Sequence, residues 1–138
     1  MTQRWRVGFV RAEPGGSAWW QRRLLRPGFA HVWAARRIMR DCWLWVEWTP
    51  EKLLVGMVSS RMVRRVSAAA SCVLVYEAPL DGTPRWSRLP WPRCLYCVSL
   101  IADALSVPVR PWATPWALSC ALRKRGAWPL RAGGGVTL

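Results

Sequence analysis

The chain contains one imidazole and five thiols, so the chemistry it can perform is narrowly bounded. Any acid–base or nucleophilic scheme must use His31 or do without a histidine. A thiol nucleophile needs a base to take its proton and a position that favours negative charge. A helix N-terminus offers the second, because its first N–H groups lack intrahelical partners. Cys97 stands at the start of a predicted helix, after a Pro-rich approach, whereas Cys94 falls one turn earlier in the loop. A third group must orient the imidazole, and Glu47 is the acidic residue on the strand next to that of His31. The candidate catalytic set is therefore His31, Glu47 and Cys97. The plainer alternative is a packed core histidine among cysteines that act as small hydrophobes.

Other site chemistries find less support. Cys94 and Cys97 have metal-ligand spacing, but Cys42, Cys72, Cys120 and His31 supply no second close pair. No metal and no cofactor is expected. Gly133-Gly134-Gly135 lies in a tail with no helix to follow, so it is not a phosphate loop, and the seven acids are too scattered for a carboxylate pair. An odd thiol count without a signal-peptide core argues for free thiols rather than structural disulfides.

The charge balance points to an anionic partner. Lys and Arg number 21 against 7 Asp and Glu, a net +14, and only Lys52 and Lys124 are lysines. The missing Asn and abundant Arg, Ala, Pro and Trp fit GC-rich coding, which discounts the preference for Arg but not the net charge. The basic residues cluster at Arg22-Arg23, Arg36-Arg37, Arg61-Arg64-Arg65 and Arg123-Lys124-Arg125, a candidate polyanion-binding set. Double-stranded DNA and acidic protein faces both suit it. Most of the 12 tryptophans are expected in the core. The apolar runs are too short to span a bilayer.

The elements that must hold these residues follow from periodicity and punctuation. Residues 4–11 read as a strand with Trp5, Val7 and Phe9 on one face. Residues 17–27 are ambiguous between a short helix and irregular packing. Residues 29–37 and 42–48 read as two central strands joined by a three- or four-residue turn, so paired positions should sum to 78 or 79. A sum of 78 sets His31 opposite Glu47 and Trp33 opposite Trp45; a one-residue slip would put Glu47 on the other face. Residues 52–58 form a third candidate strand. Ser59 or Ser60 caps a helix to about Ala70, with Met62, Val66 and Ala69 or Ala70 at core spacing. A buried strand follows at 72–77, then a Pro-rich loop at 78–93. Cys97, Ile101 and Ala104 or Leu105 share one face of a helix. Thr114 caps another, with Pro115 at its first position, a basic last turn and Gly126 as its stop.

This order of features resembles a group of small proteins of tailed bacteriophages and prophages. The resemblance rests on a strand-borne His31, the hairpin residues Trp43-Leu44-Trp45-Val46-Glu47, Cys97-Val98 at a helix start, and Thr114-Pro115-Trp116-Ala117-Leu118 at another. It covers residues 29–126 and is similar to a permuted papain-like fold of the NlpC type, with His before Cys, as in the lecithin retinol acyltransferase relatives. Two departures are visible: Glu47-Trp48-Thr49-Pro50 replaces an Asp-Pro turn, and Tyr96 replaces a small polar residue beside the cysteine. The resemblance implies an α+β fold, a small mostly antiparallel sheet packed with about three helices. The expected division is a basic N-terminal segment (1–28, strand plus loop), a core domain (29–126) and an extended tail (127–138). The leading functional expectation is a virion structural protein of the head, portal or tail. It would contact DNA or neighbouring particle proteins through its basic surface, oligomerise through assembly, and be assembled in the bacterial cytoplasm without a secretory signal. The alternative is a thiol hydrolase or acyltransferase on peptide or peptidoglycan amides, with Cys97 as nucleophile, His31 as base and Glu47 as orienter.

Overall fold

The computed structural model describes residues 1–11, 25–49, 52–79, 97–110 and 112–130. These form an α+β architecture built on a six-stranded antiparallel sheet of order β4-β3-β2-β1-β5-β6. The strands are β1 (Thr2–Val10), β2 (His31–Met39), β3 (Cys42–Trp48), β4 (Leu53–Ser59), β5 (Cys72–Pro79) and β6 (Trp128–Pro129). The helices among the described residues are α1 (Ser60–Ala69), α2 (Cys97–Ala104) and α3 (Pro115–Lys124). None of them is long and apolar enough to cross a membrane.

Strand alternation divides the core in two. On one face Trp5, Val7, Phe9, Val32, Ala34, Leu74 and Tyr76 pack with Cys97, Val98 and Ile101 of α2 and Leu118 and Leu122 of α3. On the other, Trp33, Ala35, Trp43, Trp45 and Val73 pack with Val63 of α1. Because β1 and β2 are covered on both faces, their buried positions run almost continuously. Within the N-terminal segment, β1 lies between β2 and β5 and supplies three core side chains.

Several expectations change in detail. The β2–β3 register sums to 80, with Trp33 opposite Glu47 and Ala35 opposite Trp45. A shorter turn at Arg40-Asp41 causes this, together with a register shift between Arg37 and Met39. The Arg37 guanidinium braces the turn, donating from Nε to the Met39 carbonyl (3.2 Å) and from Nη2 to that of Arg40 (3.0 Å). Since 78 and 80 have the same parity, His31 and Glu47 still share a face, as diagonal rather than direct neighbours. In α1 Ser59 is the cap and accepts from Met62 N–H, and Val63 is buried with Val66 and Ala70 packed beside it, while Met62 is exposed. Residues 127–130 do not extend freely; Trp128 and Pro129 pair with Val75 and Leu74. The ambiguous stretch 17–27 and the loop 78–93 lie largely outside the described residues, although Ala78 and Pro79 continue β5.

The C-terminal helix follows its punctuation closely. Thr114 Oγ1 accepts from Ala117 N–H (3.2 Å), Pro115 occupies the first turn, and Arg123 and Lys124 the last. Gly126, at φ +89°, ends the helix with Gly126 N–H bonding Arg123 O and Ala127 N–H bonding Leu122 O, each 3.0 Å, a Schellman stop. Phe29 ties the start of α3 to the sheet, lying 5.4 Å from the Phe9 ring and 4.8 Å, edge-on, from that of Trp116.

Two glycines should respond differently to alanine. Nothing stands within 4 Å of a Cβ at Gly126, so Gly126→Ala costs only its left-handed backbone, about 1 kcal/mol. A Cβ at Gly8 would fall inside the Trp33 indole, so Gly8→Ala should cost more, about 2–3 kcal/mol, by forcing the ring off its seat. Urea denaturation of the two variants measures both costs; an equal cost would contradict the Trp33 contact.

Candidate active site

His31 begins β2, immediately after Ala30, whose N–H donates to the Val10 carbonyl (2.9 Å). Glu47 stands one position before the end of β3. His31 Nε2 lies 2.8 Å from Glu47 Oε1, and the Trp45 indole N–H donates to Glu47 Oε2 at 3.0 Å. Both carboxylate oxygens are therefore engaged. Trp45 is in turn stacked on Trp33, with ring centroids 4.7 Å apart and planes 21° from parallel. Trp33 reaches its position by crossing directly over Gly8. The orientation of the carboxylate is thus passed outward from the sheet centre through packed rings.

Cys97 comes from the opposite layer. It is the first residue of α2 and packs in the cluster beneath that helix, at 7% exposure. It stands near enough to His31 to help raise the affinity of the imidazole for its proton. Glu47 shares the strand phase of Trp45, whereas Cys97 belongs to the other core cluster. A residue at the very end of a central strand is well placed to meet both. The His31 and Glu47 side chains keep 28% and 21% exposure, so the ring lies at the rim of the core rather than inside it.

The electrostatics follow from this placement. Burial disfavours a charged ring, but hydrogen bonds to Cys97 and Glu47, and the attraction of both, outweigh it and raise the His31 imidazole from 6.5 to about 9. The ring therefore carries its proton at neutral pH. The His31 hydrogen bond holds the Glu47 carboxyl below its ordinary value; burial opposes this and the Trp45 indole reinforces it.

The candidate polyanion set is spread over the surface. Arg37, Arg61, Arg64 and Arg65 are exposed on β2 and α1, and Arg123, Lys124 and Arg125 on α3, which packs on the opposite face. Arg36 is half-buried, bonded to Gln3 and 5.7 Å from the Trp5 ring. Arg22 and Arg23 lie outside the described residues, as do Cys94 and Tyr96. Arg4 and Arg6, outside that set, alternate with core residues along β1 and so share one sheet face. That alternation was the available signal. Cys42, Cys72, Cys97 and Cys120 are free, and no group of metal ligands occurs among the described residues. The chain matches no protein family, no curated protein and no solved structure.

The raised imidazole sets a direction for stability against pH. The folded ring binds its proton more tightly than the unfolded one, so its contribution is complete below about 6.5 and is lost as pH rises through about 9. The contribution is on the order of 2–3 kcal/mol. Urea midpoints at pH 6 and pH 9.5 should fall for the wild type over this window and change much less for His31→Gln. Equal slopes in the two proteins would contradict the ion pair.

Proposed function

We propose that the chain is a cysteine-dependent amide hydrolase or acyltransferase, with Cys97 as nucleophile, His31 as acid and base, and Glu47 as the residue that positions the ring. One observation carries this reading: the sole imidazole lies 2.8 Å from a carboxylate of the neighbouring strand and within electrostatic reach of a thiol that opens a helix. The chain order His, acid, Cys is that of a permuted papain-like site, and the α+β architecture is compatible with it. In the proposed reaction Cys97 reacts as the thiolate beside protonated His31: its sulfur attacks the acyl carbon, the free N–H groups at the start of α2 stabilise the developing oxyanion, and the intermediate collapses as His31 gives its proton to the leaving amine. Water, or an acceptor amine or alcohol, then attacks the thioester while the neutral His31 takes its proton, and the thiolate leaves, which restores the starting pair. The substrate class this suits is an acyl amide such as a peptide or peptidoglycan cross-link.

A second reading is favoured by the burial of Cys97 and by the position of the large described groove, which does not reach it. In that reading the chain is a structural component of a phage particle and the His31–Cys97 contact is a packing feature. Alkylation separates the two. Under the enzyme reading, iodoacetamide near neutral pH labels Cys97 ahead of Cys42, Cys72 and Cys120, Glu47→Gln slows that labelling, and His31→Ala reduces it to the rate of the other thiols. Equal labelling of all four, or none at Cys97, would reject the enzyme in favour of the structural component.

A further inference from the structure

The face of the sheet beside α1 carries an open groove of about 730 Å³, distinct from the thiol site. Arg4, Arg6, Arg37, Trp43, Glu77 and Trp128 line it. They come from β1, β2, β3, β5 and β6, five adjacent strands, so the groove crosses about 19 Å of sheet. Register explains the grouping. Arg4 pairs with Glu77, Arg6 with Val75, Arg37 with Trp43, and Val75 with Trp128.

The charge in this groove is largely unanswered. Arg4 is matched by Glu77 at 2.9 Å, an exposed pair. Among the described residues no carboxylate lies within ion-pair distance of Arg6 or Arg37, or of Arg64 on the adjacent helix. Asp41 accepts from the Ser60 N–H at 3.0 Å and is attracted more weakly by Arg64 and Arg37. Arg6 is half-buried, with its guanidinium 4.6 Å from the Trp43 ring centre. Burial, and then repulsion from Arg37 and Arg64, lower its affinity for its proton. At the far end Trp128 is 43% exposed and has Arg4 5.9 Å from its ring centre.

We propose that this groove binds single-stranded nucleic acid, with phosphates on Arg37, Arg6 and Arg4 and a base stacked on Trp128. Arginine forks suit phosphate oxygens, and an exposed indole beside them suits the face of an unpaired base. An acidic peptide would use the arginines and leave the indole without a role. A duplex keeps its bases stacked on each other and offers the indole none. The proposal does not depend on the thiol reading.

Fluorescence anisotropy with a labelled oligothymidine tests it on the full chain. Arg4→Glu/Arg37→Glu should weaken binding at least about tenfold more than Lys124→Glu/Arg125→Glu, a pair of equal charge change on the helix that packs on the other face. Trp128→Ala should weaken binding about tenfold on its own, and decides the question if the arginine variant fails to fold. Affinity should fall with salt, with a log–log slope for the groove of about −2, from three phosphates at about 0.7 each. Equal losses in the groove and control pairs would overturn the proposal. So would tighter binding of a duplex of the same length, or displacement of the oligonucleotide by polyglutamate at equal charge concentration.

Discussion

A half-buried carboxylate in a sheet this basic must be satisfied on both oxygens, and at Glu47 it is. The imidazole of His31 takes one and the indole of Trp45 the other. Unpaired, that charge would cost several kcal/mol in so apolar a setting. Paired, it sets the His31 ring, and through the ring it meets Cys97. The indole that completes the pair is not free to drift, because it stacks on Trp33, and Trp33 is admitted to the sheet only by the missing side chain of Gly8. Removal of any member leaves the next one with a void or an unanswered polar group. The candidate site is thus an outcrop of the core rather than an addition to a loop.

The two faces of the sheet differ in packing. Beneath α2 and α3 the packing is dense, and Cys97 is drawn into it. Beside α1 the aromatic core gives way to arginines laid along β1 and β2. Among the described residues one helix of ten residues covers part of this six-stranded face, and alternation places Arg4 and Arg6 on it while Trp5 and Val7 point into the core.

Local signals determined much of this. Alternation marked the strands, and Thr114, Pro115 and Gly126 bounded α3 because capping and left-handed backbone are properties of single residues and their near neighbours. The grouping of His31, Glu47 and Cys97 was legible from their rarity and from their places at a strand start, a strand end and a helix start. Whether His31 and Glu47 share a face is a matter of register parity, which sums of 78 and 79 left open and the observed sum of 80 decides.

Tertiary structure decided the rest. The β2–β3 turn closes in two residues, with the Arg37 guanidinium on the carbonyls of Met39 and Arg40, and the register of the pair is visible only in the folded sheet. The central place of β1 depends on pairing with β5, some seventy residues away, which no local pattern encodes. The gathering of Arg4, Arg6 and Arg37 into one groove depends on that same pairing order. Residue types and spacing determined which side chains this protein has for chemistry, because propensity, capping and alternation act over a few residues. Strand order determined which of them meet, because long-range pairing is selected by the packing of the whole sheet.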